Sequence, residues 1–302
     1  MAYIDLHSPV VLSEPGIILD GSDASWKVCT KGYSVVVDCD GFTIRHMRFR
    51  PGAFEYGDCL SLNPGSKNGL LEYCSLSWGV DSLLDVYTEN LEIRYCIFSE
   101  PLQATPLHAS QGYGIGVAGG AKNIDIHHCL IAHSFNRNPK IGGTQNSKFR
   151  FANNVVYNCY YNLHAEPVGS VNPYYLDLMG NYFKNGPESY PMSAVGFANI
   201  SRPDLQLVYL QGNIGPYRPT DDLPEIDIVS PSDQAEITLL ESPSMGTPEW
   251  LTDAQTAYAD VLAHAGATLP ERDAIDARIV ADVQNGTGGF INDPSEVGGW
   301  VD

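Results

Sequence analysis

Basic residues are scarce in this sequence. Its 302 residues include 17 Lys and Arg against 36 Asp and Glu, which gives a formal net charge of −19. A surface of that sign repels polyanions, and it therefore argues against nucleic acid or an anionic membrane as a partner. An acidic protein that acts on an acidic polymer would need cations between the two surfaces.

Long hydrophobic runs and several catalytic motifs are also missing. No stretch reaches about 18 apolar residues and no charged-then-apolar leader occurs, so we expect neither a transmembrane helix nor a signal peptide in the sequence as given. The sequence has no Gly-rich loop leading into a helix, no Cys-x-x-Cys pair and no Gly-x-Ser-x-Gly motif. These absences argue against nucleotide, zinc and serine-hydrolase sites.

What the sequence does contain is a repeat of about 28 residues. Its register position holds Met47, Cys74, Cys96, Cys129, Asn154, Asn181 and Asn213. The residues three before and two after this position are large and apolar in nearly every copy, with polar residues between them. This alternation is typical of a half-buried strand. A strand with a crossover helix needs roughly 30 residues or more, so each repeat must consist of short strands.

These features predict an all-β fold, a right-handed parallel β-helix with a C-terminal helical cap. Residues 1–215 would form the β-helix, and residues 216–302 would pack along it and cap it within the same domain. Helices are predicted at 252–265 and 270–283. The register asparagines should form a buried hydrogen-bonded ladder. A β-sandwich is the weaker alternative, because it needs no fixed register.

The seven cysteines favour packed free thiols over a disulfide framework. Three of them share the buried register position of the repeat. A bridge between Cys29 and Cys39 stays open.

Three acids are the first candidates for a site. Asp81 and Asp85 lie four residues apart in the short apolar stretch 74–86, and positions i and i+4 of a strand share a face. Asp58 opens a similar run one repeat earlier. Three converging carboxylates suit a hard cation such as Ca²⁺.

Several longer strings resemble those of the polysaccharide lyase family that contains the pectate lyases. They span 44–52, 74–81, 112–114, 136–143 and 153–158, and 273–280 resembles the family's C-terminal region. Two strings in this order are specific: Ser-Trp-Gly-Val-Asp at 77–81 and Arg-Asn-Pro-Lys-Ile-Gly-Gly at 137–143. Together the strings extend over nearly the whole chain.

The resemblance implies a β-helix that cleaves polygalacturonate by β-elimination. It implies that Asp58, Asp81 and Asp85 hold Ca²⁺ and that Arg137 abstracts the C5 proton of the sugar. Arginine is normally protonated, which makes it an unusual base. The difficulty is reduced when cations neutralise the uronate carboxylate, because the C5 proton is then more acidic.

The resemblance also assigns substrate-binding residues. Lys140 stands where the family often has a second arginine, and it is expected to bind a substrate carboxylate. The lysine that many relatives carry before Gly-Tyr-Gly is missing here, and His108 is its candidate substitute. Trp78 is either a platform on which a sugar stacks or a core aromatic, and both interpretations stay open.

The sequence thus predicts a Ca²⁺-dependent lyase acting on polygalacturonate or a related uronate polymer. We expect an anionic polysaccharide as its partner, a monomer, and an extracellular location, as the substrate class suggests. A glycoside hydrolase is one alternative, with Asp81 and Asp85 as its acid pair. A β-helix that binds carbohydrate without cleaving it is another.

Overall fold

The structure, a computed structural model, describes residues 1–22, 25–54, 57–107, 112–169, 172–190 and 195–300. His108, one of the candidate substrate-binding residues, lies outside these ranges. Within them the strands form three sheets, A, B and C, in which neighbouring strands are parallel. Each sheet takes every third strand of the chain, except that the last two strands of sheet C are consecutive. One coil therefore adds one strand to each sheet, which is the arrangement of a parallel β-helix.

The strands are as follows. Sheet A contains Ala2–Asp5 (β1), Val28–Lys31 (β4), Arg48–Phe49 (β7), Ser75–Ser77 (β10), Ile97–Ser99 (β13), Leu130–Ala132 (β16), Val155–Tyr157 (β19) and Tyr182–Lys184 (β22). Sheet B contains Val10–Leu12 (β2), Val35–Val37 (β5), Leu60–Leu62 (β8), Ser82–Val86 (β11), Tyr113–Val117 (β14), Lys140–Gly143 (β17), His164–Pro167 (β20) and Gly196–Phe197 (β23). Sheet C contains Ile17–Asp20 (β3), Asp40–Arg45 (β6), Lys67–Glu72 (β9), Glu89–Arg94 (β12), Lys122–His127 (β15), Lys148–Ala152 (β18), Tyr174–Met179 (β21), Gln206–Gln211 (β24) and Thr238–Leu239 (β25).

The predicted register ladder runs through the interior of the coil. The backbone N–H of Asn154 donates to Oδ1 of Asn181 over 3.0 Å, and that of Asn181 donates to Oδ1 of Asn213 over 3.1 Å. Cys129 joins the ladder through its own N–H, which donates to Asn154 Oδ1 over 2.9 Å. The ladder prediction is confirmed. All seven cysteines are buried free thiols, so the interpretation of the cysteines is confirmed as well.

The residue before each register position turns the chain from sheet C into sheet A. It has a positive φ in all seven copies, and the seven are His46, Tyr73, Tyr95, His128, Asn153, Gly180 and Gly212. A positive φ is uncommon outside glycine and asparagine. The rings of the first four stack on one another with centroids 4.8 to 5.1 Å apart. Stacking between coils thus holds a corner that the backbone alone disfavours.

Two helices follow the coils, at Ala254–His264 (α1) and Ala274–Asn285 (α2). Their apolar residues pack against the outer side of sheet A, where Val261 and Ile279 meet Leu130 and Tyr157. The C-terminal helical part is confirmed, and it covers the side of the coil rather than its end. No helix in the described ranges is long and apolar enough to cross a membrane.

Buried ion pairs fasten α2 to the first coils. Arg48 Nε lies 2.8 Å and Arg50 Nη1 lies 2.6 Å from Oδ2 of Asp273, and Arg50 Nη2 lies 2.7 Å from Asp276. All four side chains are at most 1% exposed. Burial alone would raise the pKa of Asp273, but the charge of Arg50 holds it down at about 2. The segment around residue 273, which resembles the family's C-terminal region, therefore has a structural role: it anchors α2 to the β-helix.

Candidate active site

The outer face of sheet B carries a row of side chains in register. Across neighbouring strands, Ser61 pairs with Asp85, Asp85 with Gly116, Gly116 with Lys140, and Lys140 with His164. The next residue on each of these strands points into the core: Leu62, Val86, Val117, Ile141 and Ala165. Because side chains of a strand alternate, the row itself faces outward.

The side chains of strand β11 do not alternate regularly between the two faces of the sheet. The expectation that Asp81 and Asp85 share one face assumed such an alternation. Leu83 and Leu84 are consecutive, yet both are buried in the same core cluster. Ser82 and Asp85 therefore share the outer side of the sheet, although they are three residues apart. Asp81 precedes the strand, so the argument that placed it and Asp85 on one face of a regular strand is wrong.

Asp58 and Asp85 nevertheless form a crowded acidic pair. Asp58 accepts hydrogen bonds from the Ser61 hydroxyl at 2.5 Å and the Ser82 N–H at 3.1 Å. Burial, reinforced by the negative charge of Asp85, raises the pKa of Asp58 to about 7. Burial also raises the pKa of Asp85 above its usual range. The charge of Asp81 adds to both shifts. Two carboxylates held this way repel each other when both are ionised.

The three acids carry ligand groups that suit a hard cation, but their present arrangement suits one less well. Carboxylate oxygens are the ligands that Ca²⁺ prefers, and Oδ1 of Asp85 is buried without accepting a hydrogen bond from the described residues. A bound cation would relieve the repulsion between Asp58 and Asp85. However, no three His, Cys, Asp or Glu side chains in the described ranges are grouped closely enough to hold a metal ion. Calcium binding by Asp58, Asp81 and Asp85 stays a prediction.

Arg137 reaches the acids from the coil of β17, two coils after that of β11. It lies just before β17 in the left-handed region, with φ 60°. Its Nη1 donates a hydrogen bond to Ser82 Oγ over 3.0 Å and lies 3.6 Å from Oδ1 of Asp85. The guanidinium carbon stacks 4.0 Å above the centre of the Tyr113 ring. Three contacts thus fix a cation that remains partly exposed at the sheet surface.

Gly116 makes room for this convergence. A Cβ atom at Gly116 would lie 2.5 Å from Asp85 Oδ1 and 3.4 Å from Arg137 Nη1. Tyr87 closes the other side, where its hydroxyl donates to Asp85 Oδ2 over 3.1 Å. Burial and the charge of Asp85 raise the pKa of Tyr87 to about 12, so it remains a donor at neutral pH. Sequence reasoning missed Gly116, Tyr87, Ser82 and Tyr113 as site residues. The alternating glycines of 112–116 were the available signal.

Lys140 belongs to the row and follows Arg137 by three residues in the chain. Its Nζ is 2.9 Å from Oε1 of Glu166 on β20. Both side chains are partly exposed, so a ligand carboxylate could compete for the ammonium group. The substrate-binding role of Lys140 stays a prediction that this position permits.

Trp78 is a core residue, and its assignment as a sugar-stacking platform is wrong. The side chain is fully buried. Its Nε1–H donates to Oε2 of Glu100 over 3.1 Å, and Trp300 packs edge-on against its ring with centroids 5.1 Å apart. No face of the indole is available to a ligand.

Two open pockets lie along the row and meet at Lys140. The first, about 170 Å³, is lined by Asp85, Tyr87, Gly116, Arg137 and Glu166 together with Lys140. The second, about 460 Å³, lies on the side of His164. Together they make a groove that crosses the strands of sheet B. The fold and this groove define a solenoid protein with an extended, charged binding face.

The chain is similar to proteins named pectate lyase. It matches no family model. Probable pectate lyase C of Aspergillus fumigatus is 28% identical over 273 residues, which cover 87% of this chain and 60% of that protein. Its namesake in Aspergillus terreus is 27% identical over 272 residues, with 87% and 60% covered. The chain thus spans about 60% of the length of these curated relatives.

Solved structures, two of which are of pectate lyases, share the fold. The enzyme from Bacillus sp. N165, in complex with trigalacturonate, has a TM-score of 0.53 at 14% identity and covers 87% of this chain and 84% of its own. The thermostable pectate lyase PL 47 has a TM-score of 0.58 at 16% identity, with 83% and 69% covered. Jun a 1, the major allergen from cedar pollen, has a TM-score of 0.58 at 10% identity, with 88% and 78% covered. The right-handed parallel β-helix and the resemblance to the pectate lyases are confirmed.

Proposed function

We propose that this chain is a Ca²⁺-dependent lyase that cleaves polygalacturonate or a related uronate polymer by β-elimination. The observation that carries the proposal is the convergence of Arg137 and Asp85 over Gly116, in an open pocket beside Asp58. The similarity to proteins named pectate lyase supports it. We further propose an anionic polysaccharide as the partner and an extracellular site of action.

In this reaction the rare deprotonated form of the Arg137 side chain takes the proton from C5 of a uronate residue. The C4–O bond breaks as a C4–C5 double bond forms, and the departing glycosidic oxygen leaves with the electron pair and gains a proton from solvent. Ser82 and Tyr113 hold the guanidinium in place. Asp58, Asp81 and Asp85 would have to draw closer together to hold Ca²⁺, which when bound supplies positive charge against the uronate carboxylate. Lys140 binds a carboxylate along the groove.

The raised pKa of Asp58 favours a second candidate, a glycoside hydrolase. At about 7 this pKa keeps much of Asp58 protonated near neutral pH, as a general acid requires, and Asp85 is a neighbouring carboxylate. The product separates the two candidates. Elimination leaves an unsaturated uronate that absorbs in the near ultraviolet, whereas hydrolysis leaves only new reducing ends.

The test is to incubate the chain with polygalacturonate, in Ca²⁺ and in chelator, and to measure both products. We expect unsaturated product in Ca²⁺ alone, and we expect Arg137→Lys to lower its saturated rate by roughly 10² to 10⁴. Arg202→Lys is the matched control and should behave as wild type, because within the described residues the Arg202 side chain pairs only with Asp204, at an exposed site. Reducing ends without ultraviolet absorbance would establish the hydrolase instead. Binding of polygalacturonate without formation of either product would indicate a protein that binds carbohydrate without cleaving it.

A further inference from the structure

The larger pocket of the groove has exposed aromatic walls. Tyr161 and Tyr190 are 46% and 49% exposed, and their ring centroids lie 6.5 Å apart at an interplanar angle of 32°. Both rest on Tyr160, whose ring is 4.8 Å from that of Tyr161 and 5.7 Å from that of Tyr190. Tyr160 in turn stacks on Phe135 at 4.8 Å. Packing from below thus holds two flat rings at the surface of the groove.

The charges around this pocket are unfavourable to an anion. Its lysine, Lys140, is paired with Glu166 on the side of the smaller pocket. Burial lowers the pKa of His164, so its ring is neutral at neutral pH. Asp233, which also lines this pocket, accepts hydrogen bonds from the Phe197 N–H at 3.0 Å and the Ser232 hydroxyl at 2.8 Å. In the described ranges Asp233 has no ion pair with Lys, Arg or His. A uronate carboxylate placed beside Asp233 would meet a negative charge, because Glu166 draws Lys140 toward the smaller pocket, where we propose that it binds the carboxylate of a neighbouring sugar.

We propose that the larger pocket is a subsite for an uncharged sugar residue, specifically a uronate whose carboxyl group is esterified. Sugar rings present apolar C–H faces that stack on aromatic rings, and this pocket offers two such rings. Removal of the carboxylate charge by an ester removes the repulsion from Asp233. The proposal rests on the proposed function, because it takes the groove to bind a galacturonan. It predicts a preference for partly esterified polymer over the fully ionised one.

Binding and cleavage are measured separately in the test. Binding uses two galacturonate oligomers of equal length, one methyl-esterified and one unesterified, with a neutral galactose oligomer as a third arm. We expect the esterified oligomer to bind more tightly than the unesterified one. Tyr161→Ala and Tyr190→Ala should each weaken binding of the esterified oligomer about tenfold, and weaken binding of the unesterified oligomer less. Tyr161→Phe, which keeps the ring, should bind as wild type. Tyr209→Ala is the matched control, because Tyr209 lies on sheet C away from the groove.

Asp233→Asn provides the electrostatic half of the test. It should raise affinity for the unesterified oligomer about threefold and leave the esterified one unaffected. Equal affinity of wild type for both galacturonates, or equal losses on both in the tyrosine variants, overturns the inference. Equal binding of the galactose and esterified oligomers would support an uncharged-sugar subsite but overturn its assignment to an ester. If the ester preference holds without unsaturated product, the proposed function fails while this subsite stands. Unsaturated product without the ester preference would support the proposed function and overturn the inferred subsite.

Discussion

The guanidinium carbon of Arg137 lies 4.0 Å above the centre of the Tyr113 ring, so the two side chains stack across neighbouring strands of sheet B. Tyr113→Leu removes the aromatic face and leaves Nη1 with its hydrogen bond to Ser82. The ring also fixes the position of the guanidinium group, and loss of that positioning outweighs the easier deprotonation expected once the cation no longer lies over an aromatic face. We therefore expect the saturated rate to fall about tenfold while KM changes little, as measured from unsaturated product. A rise in KM at unchanged rate would show that Tyr113 contacts substrate instead.

Gly116→Ala should separate Arg137 from Asp85. The new Cβ would lie 2.5 Å from Asp85 Oδ1, which is closer than real contacts allow, so the carboxylate must move. Because catalysis is sensitive to shifts of about 1 Å, the rate should fall about a hundredfold. Gly289→Ala is the control, since its Cβ would meet only the end of the flexible Glu188 side chain. Wild-type activity in Gly116→Ala would show that the arrangement over Gly116 is not used.

The raised pKa of Asp58 predicts how the free energy of unfolding depends on pH when a chelator is present. Its pKa is raised to about 7 from 3.8, so the native state binds the proton more tightly than the unfolded state. Its contribution is full below about pH 4 and is lost as the pH rises through about 7. Asp58→Asn mimics the protonated form and removes this loss. Above pH 7 the variant should be the more stable by on the order of 2 kcal/mol, measured by chemical denaturation at several pH values. Asp227→Asn, outside sheet B, serves as control, and an identical pH profile in Asp58→Asn and wild type would refute the shift.

Asn181→Leu should destabilise the interior ladder. Asn181 accepts the N–H of Asn154, and its Nδ2 donates to the carbonyl of Phe151 at 2.7 Å and to Asn213 Oδ1 at 2.8 Å. Leucine leaves these buried groups unsatisfied at about 1 to 3 kcal/mol each. The unfolding midpoint in denaturant should fall strongly, whereas Asn285→Leu at the exposed end of α2 should change it little. An unaltered midpoint in Asn181→Leu would mean that the ladder contributes no net stability.

Asp273→Ala should loosen the fastening of α2. The substitution leaves the fully buried Arg48 and Arg50 with less compensating charge, which typically costs about 3 to 5 kcal/mol. We expect a corresponding loss of unfolding free energy. Asp204→Ala, which breaks an exposed pair with Arg202, should have no measurable effect. Equal stability of the two variants would argue against a structural role for the buried cluster.

The repeat made most of the fold predictable from sequence. The register asparagines and cysteines lie where the pattern placed them, because a coil that stacks on its neighbours must bury the same position every time. The helices begin and end within a few residues of their predicted bounds. The division into residues 1–215 and 216–302 stays a prediction.

The site was predictable only in part. Asp85 and Arg137 do come together, but the sequence pattern could not show that Leu83 and Leu84 both turn inward and so break the alternation. Trp78 was equally ambiguous, because its burial depends on Trp300, more than 200 residues later. The contacts of Tyr113 and Gly116 also arise between coils, so the alternating glycines of 112–116 mark this strand as unusual without showing what its residues contact.

The row on sheet B has a consequence for how such proteins can diverge. Among the described residues the strands pair only with strands of adjacent coils, so whole coils can be gained or lost by duplication or deletion at either end without disturbing Asp85, Gly116 and Lys140. A single inserted residue within β11 would instead rotate Asp85 toward the core. Selection should therefore tolerate changes in chain length by whole coils. The number of residues within each central strand should stay the same.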